Sequence, residues 1–160
     1  MANIRSITRF LSKYSPEIAA QLQDARQRLA KHFPRGFELV YDNYNALVFA
    51  YSPTERGGDA ILSVAGYPKW VTLFFAQGAS LEDPAKILTG SGPRFRSIRL
   101  QPADLLRRAD VQKLIRAAKA AASSELKAAP PLTTIINAVS TKQRARKPAA
   151  ARTRSRRAAR

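Results

Sequence analysis

Four short runs of β-branched and aromatic residues, FELVYD, ALVFAYS, AILSVAGY and WVTLFF, follow one another between Phe37 and Phe75 with turn chemistry such as PTERGG and YPK between them. Strands that close together leave no room for crossover helices, so they pair as an antiparallel meander. Before them, SPEIAAQLQDARQRLAKHFP reads as an amphipathic helix. Ser15 caps it, Pro16 suits the first helical position, and Glu17 favours the positive end. Ile18, Leu22, Ala25, Leu29 and Phe33 recur at helical spacing and mark its buried face, and Pro34 with Gly36 ends it.

After the meander, LEDPAKIL reads as one helical turn capped by Asp83, and TGSGPR leads into a fifth strand, FRSIRL. Val111, Leu114, Ile115, Ala118 and Ala122 place a second amphipathic helix near residues 110–126. The expected fold is α+β: an antiparallel sheet of about five strands packed by N- and C-terminal helices, spanning residues 1–126. Residues 127–140 form a connector broken by Pro130 and Pro131. Within it Leu132, Ile135, Ile136 and Val139 fall at i, i+3, i+4 and i+7, which fits a short helix docking on the domain or a segment that orders only with a partner. Residues 141–160 hold nothing to bury, so a disordered basic tail is expected.

The charge is lopsided. The chain carries 28 Lys and Arg against 11 Asp and Glu, a formal net charge of +17. Nine of those cations, and no acid, lie in the final nineteen residues, KQRARKPAAARTRSRRAAR, which leaves the body at +8. Such a field favours polyanions and says nothing about fold. With no cysteine, disulfides, thiolate metal sites and cysteine nucleophiles are excluded together, and His32 is the lone histidine. No apolar run approaches a membrane span, and the N-terminal MANIRSITRFLSKYS lacks a secretory apolar stretch. Its Ile4, Ile7, Phe10 and Leu11 suit a first short helix better than a transit peptide. The expected location is the cytoplasm, and the charge of the tail allows association with a nucleoid.

The order of the middle motifs resembles the bacterial domain of unknown function 1801, also called YdhG-like. The residues that carry the resemblance are ELVYDNYNALVFAYSP and YPKWVTLFFAQGASLEDPAKILTGSGPRFRSIRL: an aromatic strand ending in Gly, then Leu-x-Asp-Pro, a Gly-x-Gly turn, and Arg-x-x-Arg. It covers residues 15–125 and leaves the tail outside. It implies a frataxin-like α+β fold, mostly unknown activities, an iron chaperone among the members, and no catalytic residues.

Iron handling, or carriage of a small metabolite, is the alternative function. Labile iron sites need several carboxylates or imidazoles on one surface. Glu17 with Asp24 sit among Arg26, Arg28 and Lys31, while Glu38 with Asp42 share one side of a strand; the net charge opposes cations throughout. His32 suits the helix C-terminal dipole. No metal ligand set, cofactor or nucleophile–base pair emerges, so a non-catalytic protein is expected.

Two weaker features bear on ligands. In the Gly-rich turn, Gly90 and Gly92 could bring backbone N–H groups to an anion beside Arg94 and Arg96, although a tight turn explains the glycines as well. Tyr41, Asn43, Asn45, Tyr51 and Trp70 could line a small-molecule pocket, or could pack core and rim. The tail points more firmly to nucleic acid, through Lys142, Arg144, Arg146, Lys147, Arg152, Arg154, Arg156, Arg157 and Arg160. Arg dominates, which favours phosphate forks, and no aromatic is interleaved, so sequence preference should be weak. If all nine engaged duplex DNA, log affinity would fall against log salt with a slope near about −8. The folded domain would take an unidentified small molecule or protein as a further partner.

Overall fold

The computed structural model describes residues 2–147 of the 160-residue chain. Two helices open it, α1 (Ala2–Leu11) and α2 (Pro16–His32), and the Ser15 hydroxyl accepts the Ile18 N–H as the cap of α2. Such a cap contributes about 1 kcal/mol. Ile18, Leu22, Ala25 and Leu29 are buried along one face of α2, as their spacing requires.

Strands β1 (Phe37–Asp42), β2 (Leu47–Ser52), β3 (Leu62–Gly66), β4 (Val71–Phe75) and β5 (Arg96–Arg99) follow, then α3 (Ala109–Ala121), α4 (Ser123–Ala128) and β6 (Thr133–Val139). They form one sheet of order β5-β4-β3-β2-β1-β6, antiparallel except for β1 with β6. Register carries a row of apolar side chains across all six strands: Ile136, Val40, Phe49, Val64, Leu73 and Ile98. Leu22, Leu29, Val111, Leu114 and Ile115 belong to the same core, so the helices and this face of the sheet enclose it. Gly66 ends β3 where α2 comes closest: a Cβ there would lie 2.5 Å from a Leu22 methyl.

The fold class is as expected from the sequence, but the sheet has six strands. The sixth is the segment for which a docking helix fitted the spacing. Thr133-Thr134-Ile135-Ile136 is β-branched throughout, which disfavours helix and suits a pleated surface. The free edge of β1 supplies the hydrogen-bonding partners, and β6 pairs along it from Phe37 with Thr133 to Asp42 with Val139, with a register shift at Val40/Tyr41. Parallel pairing then follows from the excursion through α3 and α4, which returns the chain to the end of the sheet where β1 begins. Gly36, at φ +114°, donates its N–H to the Pro130 carbonyl and accepts from Thr133, joining the two strand entries.

LEDPAKIL does not form a helical turn. Its Asp83 carboxylate accepts the N–H groups of Ile87 and Leu88, an arrangement that holds an irregular loop.

Candidate nucleic-acid interface

Where β6 ends, the chain does not leave the domain. The Ser140 N–H donates to the Asp42 carbonyl, the Gln143 amide to the same oxygen, and the Arg144 N–H to the Tyr44 carbonyl. Residues 140–146 thereby wrap the turn between β1 and β2. Arg146 closes the wrap: its guanidinium donates to the Asp42 carboxylate and to the Asn43 carbonyl and lies 5.3 Å from the Tyr14 ring centroid. Lys13 holds the other Asp42 oxygen at 2.6 Å and also reaches Gln143 at 2.7 Å. Asp42 is 0% and Arg146 2% exposed, so this pair is interior.

This overturns the expectation that disorder begins at residue 141, and it removes Arg146 from the phosphate-binding set. The reason is a carboxylate that the strand buries. Asp42 falls on the helix-facing side of β1, where charge is costly unless paired. Burial raises its pKa, but hydrogen bonds from Lys13, Gln143 and Arg146 outweigh that, leaving the carboxyl below its ordinary value. Beneath them the Tyr14 hydroxyl donates to the Gly66 carbonyl and accepts from the Leu47 N–H. Its burial lifts the phenol pKa to about 12.

Glu38, four residues earlier on the same face, is equally enclosed. Arg26 grips it through two hydrogen bonds of 3.0 and 2.8 Å, Thr134 donates to it at 2.9 Å, and the Tyr51 hydroxyl lies 2.9 Å away. Burial works against the Arg26 cation, yet Glu38 holds its pKa above the ordinary value. Burial first, then the Glu38 charge, push the Tyr51 phenol well up. Glu38 and Asp42 share a face, as their spacing implies, but each is occupied by cations of the chain itself. Among the described residues no group of three or more His, Asp or Glu is placed to hold a metal ion.

Of the remaining tail cations, Lys142, Arg144 and Lys147 are exposed and pair with no carboxylate among the described residues. Arg152, Arg154, Arg156, Arg157 and Arg160 lie outside the described residues.

The five residues suggested as a pocket do not converge. Tyr51 faces the helices and stacks on Phe33 with centroids 5.2 Å apart. Tyr41, by strand alternation, faces the other way and accepts a hydrogen bond from Asn137. Asn43 and Asn45 are exposed in the β1–β2 turn, and Trp70 lies between β3 and β4 under the Arg99 guanidinium at 4.0 Å. In the Gly-rich turn, Arg96 donates to the Gly92 and Phe95 carbonyls, so that guanidinium closes the turn itself. Gly90 adopts φ +132°, the turn requirement, whereas a Cβ on Gly92 would meet open space. Arg94 stays exposed beside Phe95.

Two clefts flank α3, and the sequence signalled neither. One, of about 830 Å³, has an apolar floor that includes Ile61, Phe75 and Leu114, and it carries Asp59, Glu82, Asp83, Asp110 and Glu125 against a single cation, Lys113. The other, of about 500 Å³, is lined by Lys31, Arg35, Arg116, Lys119 and Lys127 with no carboxylate. Only the fold brings the end of α2 beside α3 and α4.

No helix among the described residues is long and apolar enough to cross a membrane. Compared with known proteins, the chain matches no family model, no curated protein and no solved structure.

Proposed function

We propose that this is a non-catalytic binding protein whose basic C-terminal segment associates with nucleic acid without sequence preference. The observation that carries the reading is the fastening of residues 140–146 to the β1–β2 turn through Arg146 and Asp42. It gives the cationic segment a fixed point of departure from the domain, with Lys142, Arg144 and Lys147 already free to meet phosphates there. Each phosphate neutralised releases condensed counterions, which is a sufficient driving force without base contacts. The resemblance to the 1801 family belongs to the same proposal, supported by the order of strands and helices, and so does a nucleoid-associated place in a bacterial cytoplasm.

The test is anisotropy of labelled duplex DNA and single-stranded RNA with the full chain and with a chain ending at Lys147. A cut at Ser140 would also remove Arg146 and leave Asp42 with Lys13 as its one cation among the described residues, confounding binding with stability. Weaker binding by the shorter chain supports the reading. Equal binding by both chains, or binding only to acidic liposomes, contradicts it.

A further inference from the structure

The cation-lined cleft between the end of α2 and the α3–α4 pair lies at the end of the sheet opposite the tail root. Pro34 and Arg35 lead into β1 at Phe37, whereas Asp42 closes it, a separation of about 17 Å along the strand. Two arginines, Arg35 and Arg116, and three lysines, Lys31, Lys119 and Lys127, line it. None of the five pairs with a carboxylate among the described residues, although Arg26, Arg28 and Arg108 each do. Five like charges around one cleft repel within a Debye length of about 8–10 Å, so an anion that enters relieves a standing repulsion.

The floor is apolar and already built. Phe33 is 1% and Leu126 7% exposed, and Pro34 and Ala120 complete it. On the rim, the His32 ring lies 2.9 Å from the side-chain oxygen of Gln112, whose amide N–H donates to the Leu106 carbonyl. A cavity of about 500 Å³ lies within the range of small-molecule sites and is too small for a nucleic-acid duplex.

We infer that this cleft binds a small organic phosphate, with the phosphate held by Arg35, Arg116 and the lysines and an apolar or aromatic body resting on Pro34, Ala120 and the edge of Leu126. Five cations exceed what a single carboxylate would call for and match a group of two or three negative charges. The paired arginines offer the fork geometry that phosphate oxygens accept. This site is separate from the tail and does not depend on it.

The test uses the full chain and three probes in calorimetry: a nucleoside diphosphate, the corresponding nucleoside without phosphate, and a short single-stranded oligonucleotide. The variant is R116Q/K119Q, and the control, R5Q/K86Q, removes the same charge from exposed positions elsewhere. The expected result is saturable diphosphate binding, no nucleoside binding, and a loss of about tenfold or more in R116Q/K119Q with the control unchanged. Failure of the diphosphate to bind, or equal weakening by both variants, overturns the inference. So does an oligonucleotide affinity that falls in R116Q/K119Q as far as the diphosphate affinity does, which makes the cleft part of a nucleic-acid surface. Because Arg116 is exposed and Lys119 half-buried, and both lie on a helix that keeps its buried face, thermal unfolding of both variants within a few degrees of the parent confirms that folding is not the cause.

Discussion

Glu38 and Asp42 are two carboxylates on one strand, four residues apart and equally buried, yet they are neutralised from different places. Glu38 is matched within the domain, by Arg26 twelve positions before it and by Thr134 of the neighbouring strand. Asp42 is matched by Lys13 and by Arg146, 104 residues away in the basic segment. The first locks the sheet to α2. The second makes the root of the tail part of the domain, so that one cation of the cluster belongs to folding while Lys142, Arg144 and Lys147 stay exposed.

Removing the Glu38 partner should have the largest effect. Arg26→Met leaves a carboxylate that is 3% exposed in its side chain without its cation and should cost about 3–5 kcal/mol in urea unfolding. The salt slope of DNA binding should not change. Asp42→Asn should cost less, about 2 kcal/mol, because the Lys13 side chain is 35% exposed and the C-terminal segment that carries the buried Arg146 can detach, so that both cations return to water. It should also release residues 140–147, read as faster amide exchange at Ser140 and Arg144 and faster tryptic cleavage after Lys142 and Arg144. Parent-like protection in that variant would mean the wrap does not depend on Asp42.

The pH response separates the two further. The folded-state pKa of Asp42 is depressed, so its contribution is fully present above the ordinary carboxylate value near 4 and is lost as pH falls through the lower folded value. Unfolding free energy measured between neutral pH and pH 3 should therefore fall more steeply in the parent than in Asp42→Asn. Parallel curves would remove Asp42 as an acid-sensitive contact. The smallest effect concerns single tail cations. Lys142→Ala or Arg144→Ala should each flatten the salt slope by about 0.9 at full engagement, whereas Arg146→Ala should not change it directly, since that guanidinium is already committed.

Much of the domain was legible because its pattern is periodic. The meander was readable from β-branched runs and short turns, and α2 and α3 from their apolar spacing. Periodicity misled at Leu132–Val139, where the β-branched run Thr133–Ile136 was the better guide; what decided it was an unpaired sheet edge far away in sequence. Arg146 was hidden for a related reason. A local reading sees one Arg among nine cations, and only the parity of FELVYD, which sends Asp42 inward, signals a buried acid in need of a partner. The two clefts beside α3 left no trace in the sequence, because each collects side chains from segments that meet only in the fold.

The most direct measurement is the salt dependence of duplex DNA affinity for the full chain beside a chain ending at Lys147. With Arg146 committed to Asp42, the tail retains eight cations, so the full chain should show a slope of at most about −7. Removing the five distal arginines should reduce its magnitude by about 4 to 5 and weaken binding most at low salt. Equal slopes for the two chains would contradict the tail as the nucleic-acid contact.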